Sequence, residues 1–539
     1  MSVIEDPVQA GIAAGWRVTD CARLETDQVL EADVVIVGSG AGGGVSAEIL
    51  TLSGLKVIIV EEGALKSSRD FKMREADAYP SLYQESAARK TRDKGITILQ
   101  GRAVGGSTTI NWTSSFRTPD ITLRYWNKQF GLKDYTTASL APWFGMMEER
   151  LSISDWPTPP NENNDLLKRG AAKLNIPTGL IRRNVNGCWN LGYCGMGCPT
   201  NAKQSMLVTT IPSALRNGAT LLTRARAEKL VIQQDRVTQL ECVALDVDGL
   251  RPTGRRLTLR ARHFVLAGGA INTPALLLRS AAPDPQGLLG KRTFLHPTVI
   301  SAAIFAQRVD GFAGAPQTVY SDHFLHTDRI DGAIGYKLEA PPIHPLLFST
   351  TMPGFGAQHA SVMAQFPHVH ALLALLRDGF HADAPGGSVG LVHGAPVLDY
   401  PVSSFIWDGA RRALLSMAEI QFAAGAISVT PAHERGAAYT SWTQAQAAIN
   451  ALPYKLLQTR MVSAHVMGGC GMSDDERLGV TGSDGRYHGL ANLSVHDGSL
   501  FPTSIGANPQ LSIYAMVARL ASGLAQQLNG RPAARPTRA

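Results

Sequence analysis

Asp33-Val34-Val35-Ile36-Val37-Gly38-Ser39-Gly40-Ala41-Gly42-Gly43 is a short β-branched run that breaks into a glycine-rich turn. The run suits a strand buried on both faces. Gly38, Gly40 and Gly43 fit G-x-G-x-x-G, and the apolar spacing through Val45, Ile49 and Leu52 predicts a helix that Gly54 ends. Val57-Ile58-Ile59-Val60 reads as the next strand, so the unit is strand–turn–helix–strand and its strands should be parallel. Gly38 permits the tight turn, Gly40 lets backbone approach a pyrophosphate, and Gly43 allows close helix–strand packing. The helix N-terminus supplies amide donors to the phosphate. Glu61, 23 residues past Gly38, lies close to the ~20 expected of an acid that binds the adenosine ribose hydroxyls. An acid there repels a 2′-phosphate.

The unit sits in a chain of 539 residues, 44% hydrophobic and 18% charged, enough to build a large core and unlike a disordered chain. Lys+Arg 51 against Asp+Glu 44 leaves +7 without a long basic run, which speaks for ordinary solubility and against a nucleic-acid surface. There is no secretory pattern at the N-terminus, and no charge-free apolar run reaches the ~18 residues that span a bilayer. The expected location is the cytoplasm, with peripheral membrane contact left open.

Residues 1–30 form a weakly patterned lead-in that packs on another element or stays loose. Leu221 to Gln234 and Arg256 to Leu266 alternate and read as strands. Residues 291–460, rich in Pro, His and Gly, resemble a separate lobe; within it Ala371 to Leu376 reads as a short, buried apolar helix. Residues 461–529 follow as a C-terminal segment, and 530–539 as a disordered tail.

By themselves Gly38–Glu61 do not separate NAD from FAD. Four further segments do so together: Gly101-Arg102-Ala103-Val104-Gly105-Gly106-Ser107 followed by Asn111-Trp112, Ala267-Gly268-Gly269-Ala270-Ile271-Asn272-Thr273-Pro274, His465-Val466-Met467-Gly468-Gly469-Cys470, and His496-Asp497-Gly498 followed by Asn508-Pro509-Gln510. In this order they resemble the glucose–methanol–choline (GMC) oxidoreductases, from about Asp33 to the helix around Ala515–Leu524. The Gly101–Trp112 segment, with Cys194-Gly195-Met196-Gly197-Cys198-Pro199 and Ala202-Lys203-Gln204-Ser205, is most similar to the long-chain alcohol oxidase and dehydrogenase branch.

The resemblance implies an α/β (α+β overall) fold: a doubly wound, Rossmann-like FAD-binding lobe, discontinuous in sequence, beside a substrate lobe built on an antiparallel sheet. The FAD lobe would span 31–290, including a cysteine loop at 185–205, and resume at 461–529; the substrate lobe would be 291–460. Gly38, Gly40, Gly43 and Glu61 would hold the ADP part, Gly105, Gly106 and Asn111 would flank the flavin, and Ala227 would offer backbone to adenine. Gly268 and Asp497 would lie along the cofactor. His465 and Asn508 match the catalytic pair. Gly469 departs from the family's usual threonine, a change expected to alter packing rather than chemistry.

The implied activity is oxidation of an alcohol to an aldehyde or ketone, with hydride moving to flavin N5 and His465 acting as general base, its unperturbed pKa of ~6.5 suiting the task. Asn508 cannot titrate but can orient the hydroxyl and stabilise a developing alkoxide. The apolar stretches Phe348–Met352 and Ala371–Leu376 point to an apolar primary alcohol. Oxygen, a quinone or a carrier protein would reoxidise the flavin. Other readings are a sterol oxidase-like enzyme, a non-catalytic flavin-binding protein and a NAD-dependent dehydrogenase. Cys188, Cys194 and Cys198, three thiols within eleven positions, would suit a metal or iron–sulfur site but lack its usual C-x-x-C pairs, so reduced, packed thiols and no metal are expected, with one disulfide or a cluster left open.

Overall fold

Gln28–Val37 lies inside the first of two eight-stranded sheets. The computed structural model describes residues 4–537. The strand is parallel to Val57–Glu61 on one side and to Pro252–Leu266 on the other, with Val34 opposite Val57 and Val37 opposite Val60. Val34, Val35, Ile36 and Ile59 are fully buried, which is why neither strand alternates polar with apolar. Thr220–Thr223 and then Arg17–Asp20 extend the sheet in parallel. Beyond Pro252–Leu266 it turns antiparallel through Arg236–Leu245 and Ala225–Gln233. Leu493–Val495, from the far end of the chain, joins Pro252–Leu266 in parallel. The FAD-type lobe is discontinuous as expected. Helix Ala41–Leu52 crosses between its first two strands and packs against helix Gln510–Asn529.

The lead-in is ordered where it is described. Asp6 caps helix Pro7–Ala13, accepting from Val8 N and Gln9 N, and Arg17–Asp20 forms a sheet edge. Residues 1–3 lie outside the described residues, as do 538–539 of the tail. The tail to 537 forms no helix or strand, yet it is seated: Ala534 N donates to Ser53 Oγ, 3.2 Å away.

The second large sheet is mainly antiparallel. Thr298–Ile304, Val369–Leu376, Tyr336–Glu339 and Val319–Ser321 pair in that order. Ile96–Ile98, Gly179–Leu180 and Met461–Ser463 are drawn in from outside 291–460.

Here one expectation is corrected: Ala371–Leu376 is strand, not helix. Leu and Ala are good helix formers, but pairing on both edges overrides propensity. The pattern misleads because both faces are apolar. Leu372, Ala374 and Leu376 enter the second core with helix Ser404–Ala424, while Ala371, Leu373 and Leu375 line a cavity. Eight residues, Val369–Leu376, is a strand's length.

Candidate active site

A single cavity of about 680 Å³ runs from the Gly38 turn to the antiparallel sheet. At its first end Gly38, Ser39, Gly40, Ala41 and Gly42 line the wall. Gly38 needs its glycine: φ is +99°, and a Cβ would stand 2.3 Å from Ala267 O. Gly40 is the N-cap of helix Ala41–Leu52 without any side-chain cap, so the first-turn amides are left for a ligand. A Cβ on Gly40 would meet only Gly106 Cα within 4 Å, at 3.7 Å, and otherwise enter open space. An uncapped helix N-terminus facing a long cavity fits a pyrophosphate, and the residues present fit FAD.

Gly43 does not line the cavity; a Cβ there would lie 1.9 Å from Gly38 O, so it serves helix–turn packing. Gly105 is also off the wall, its amide donating to Ser39 Oγ at 3.0 Å to lock the second glycine loop onto the first. Glu61 lines the cavity and accepts from Ser39 N, Ser39 Oγ and Gly63 N at 3.1, 2.6 and 2.8 Å. Burial pushes its carboxyl above the usual range, against those three bonds. Three bonds leave acceptor capacity for a ribose hydroxyl. Ala227 lines the same end. Gly106, Asn111, Gly268 and Asp497 line the wall further along. Asp497 accepts from Gly269 N, Thr273 Oγ1, Ser499 N and Ser499 Oγ, tying helix Gly269–Arg279 to the C-terminal segment. Asn111 Nδ2 donates to Gln510 Oε1 at 2.5 Å.

His465 and Asn508 line the same cavity, each beside Lys337. His465 follows strand Met461–Ser463 and is half-buried, its Nδ1 3.3 Å from His296 Nδ1. Burial, with a smaller push from the Lys337 charge, lowers its pKa to about 3, so the ring is neutral at ordinary pH. His296 adopts φ +45°, a conformation held because Asp378 accepts from both Leu295 N and His296 N. Asn508 receives Lys337 Nζ at Oδ1 and donates through Nδ2 to Glu339 Oε2, each at 3.2 Å. The apolar part of the wall comprises Ile343, Leu347 and Phe348 with Ala371, Leu373 and Leu375.

Sequence reasoning missed His296, Lys337 and Glu339. Leu295-His296-Pro297 is an inconspicuous tripeptide 169 residues from His465. In Lys337-Leu338-Glu339 the alternation that puts both charges on one face of a strand was the available signal.

In the cysteine loop, Cys188, Cys194 and Cys198 are half-buried free thiols. Their Sγ atoms accept from Asn190 N, Arg183 Nη2 and Lys203 N respectively. Lys203 Nζ donates to the carbonyls of Thr109, Asn111 and Cys194, binding this loop to the second glycine loop. Among the described residues, no helix is long and apolar enough to cross a membrane.

Two sequence models of the GMC oxidoreductases match, the N-terminal one over residues 79–298 and the C-terminal one over 387–517. A long-chain-alcohol oxidase of Arabidopsis thaliana is 26% identical over 97% of this chain and 70% of its own. An uncharacterised GMC-type oxidoreductase of Mycobacterium tuberculosis is 30% identical over 92% of this chain and 76% of its own. Among solved structures, formate oxidase superposes with a TM-score of 0.68 at 15% identity, covering 93% of this chain and 99% of its own. Pyridoxine 4-oxidase from Mesorbium loti gives 0.66 at 18%, covering 91% and 98%. The uncapped helix at the Gly38 turn, the cavity it opens on and these matches lead to one conclusion: the chain belongs to the GMC oxidoreductase family and is an FAD-dependent oxidoreductase acting on alcohol-type donors.

Proposed function

We propose that the chain oxidises apolar primary alcohols to aldehydes, with His465 and Asn508 receiving the hydroxyl. The observation that carries this reading is the continuity of one cavity from the glycine turn, past His465 and Asn508, to the apolar faces of Ala371, Leu373, Leu375 and Phe348. Thr298, Gln317 and Thr351 also line the cavity, but the Gln317 amide is engaged by Ser114 and Glu339, whereas a sugar would need several free polar side chains there to satisfy its hydroxyls. The similarity to a long-chain-alcohol oxidase points the same way.

The bound FAD supplies the hydride acceptor. Gly38, Gly40, Gly106, Glu61, Ala227, Gly268, Asn111 and Asp497 would hold it. His465, neutral and lining the cavity, takes the hydroxyl proton as general base when its Nδ1–H donates to His296 Nδ1, a tautomer in which His296 carries its proton on Nε2 and gives up the bond from Gly506 N–H. Asn508 stabilises the oxygen as negative charge develops. Oxygen, a quinone or a carrier protein would then take the electrons.

A second reading of His465 is favoured by Gly506, whose N–H donates to His296 Nε2 at 3.1 Å. That bond leaves the His296 proton on Nδ1, donating to His465 Nδ1, so His465 would meet the carbinol oxygen with an Nε2–H. The alcohol would then lose its proton to solvent and be held as alkoxide by two donors. The two readings separate in the pH dependence of kcat/KM. A base that stays neutral across pH 5–8 gives a flat profile there, whereas prior ionisation gives a rise with pH toward a plateau.

The substrate class is tested with linear alcohols. Each buried methylene contributes ~0.8 kcal/mol, or about fourfold in kcat/KM, until the apolar wall is covered. A flat series with good turnover of glucose or choline would overturn the assignment.

A further inference from the structure

Directly behind Asn508, off the cavity wall, lies a buried ion pair. Lys337 Nζ is 3.3 Å from Glu339 Oε1, and the two side chains are 4% and 0% exposed. They are two residues apart on strand Tyr336–Glu339, opposite Leu375 and Leu373, and so share the sheet face that those leucines turn to the cavity. Replacing a buried pair by packed apolar residues commonly leaves a protein as stable or more so. Stability is therefore a weak reason for charges behind this wall.

Their hydrogen bonds supply a better one. An ammonium only donates and a carboxylate only accepts, so the Asn508 amide can meet them in one orientation: Oδ1 to Lys337 and Nδ2 to Glu339. One Nδ2 hydrogen is left for the cavity that Asn508 lines. The clamp is itself held. Gln317 Nε2 donates to Glu339 Oε2 at 2.6 Å, Ser114 Oγ donates to Gln317 Oε1 at 3.0 Å, and the Lys337 ammonium lies 2.9 Å from the centre of the Phe116 ring.

We propose that Lys337 and Glu339 are positioning residues for the oxidation: they grip the Asn508 amide at both ends so that its remaining N–H meets the carbinol oxygen, and the ammonium polarises that amide as the oxygen becomes negative. Charge behind a donor strengthens it in a low-dielectric site. Burial lowers Lys337 to about 8, and Lys337 in turn contributes to keeping His465 neutral. The inference rests on the reading that Asn508 meets the hydroxyl.

The experiment is a double-mutant cycle on the FAD-loaded enzyme with the best alcohol of the linear series, following kcat, KM and FAD content. Asn508→Ala should lower kcat roughly 10²-fold, the scale of one lost oxyanion donor. Lys337→Met should lower kcat about tenfold or more with KM changed much less, and should cost little further in the Asn508→Ala background, because coupled residues are not additive. Additive losses, or wild-type kcat in Lys337→Met beside an impaired Asn508→Ala, would overturn the positioning role alone. An unimpaired Asn508→Ala would instead remove the reading beneath it. If Lys337→Met fails to fold with its carboxylate unpaired, Lys337→Met/Glu339→Gln removes both charges together. Wild-type kcat in that variant overturns the proposal, and a kcat loss with FAD retained supports it.

Discussion

His465→Ala is expected to keep its FAD and to lose about 10²-fold or more in turnover, the scale of acid–base loss. His465 lines the cavity and bonds to His296 rather than to the Gly38 turn or Glu61, so removing it should leave the dinucleotide contacts intact. A stability measurement accompanies the kinetic one. The unfolded ring takes up its proton below about pH 6.5, whereas the folded ring stays neutral until about 3. The unfolded state therefore binds more protons in that window, and His465 destabilises the fold progressively as pH falls through it. His465→Ala should flatten the acid side of the Tm–pH curve. Wild-type turnover in this variant would take His465 out of the reaction.

Gly42→Ala is expected to cost about 3 kcal/mol, the upper range for overpacking, and most of the bound FAD. A Cβ at Gly42 would stand 1.5 Å from His496 O and 3.3 Å from Asp497 Cα. Neither neighbour is a side chain that can swing aside. The methyl group would push the C-terminal segment off helix Ala41–Leu52, taking Asp497 from Gly269 and Thr273. Gly40→Ala, two residues away, separates packing from ligand space. Its methyl meets only Gly106 Cα at 3.7 Å, so the apoprotein should melt normally while FAD binds weakly. Thermal melts and flavin absorbance after gel filtration read both variants. Full FAD occupancy and an unchanged Tm in Gly42→Ala would contradict this packing.

What the sequence disclosed was local. The Gly38 turn, the parallel pair at Val34 and Val57, and Glu61 are set by a few neighbouring residues and a spacing, and the structure has them in place. His465 and Asn508 stand in recognisable short motifs, and the structure brings them to one cavity. Ala371–Leu376 was illegible for the opposite reason: a strand apolar on both faces has no period, and its state is decided by Thr298–Ile304 and Tyr336–Glu339 pairing on its edges. His296, Lys337 and Glu339 were hidden because each matters through a residue more than 160 positions away. Sequence order says nothing about such meetings until strand register is known.

The joining of Leu493–Val495 to a sheet begun at Gln28 bears on how the protein is made in a cell. While the ribosome is still short of that segment, only the Phe264–Leu266 end of one edge of Pro252–Leu266 lacks its partner, the Pro252–Leu259 part being paired with Arg236–Leu245, and the face of the Gly42 turn waits for the carbonyl of His496. The nascent chain can build the turn before the segment that closes on it exists, so FAD uptake is expected to follow translation, which a release-timed flavin-binding measurement would check. An unpaired apolar strand edge held open through synthesis is prone to associate with its like. Holoenzyme yield is then expected to depend on how well the waiting chain is kept from aggregating, and a chain truncated before Leu493 is expected to retain no flavin at any FAD supply.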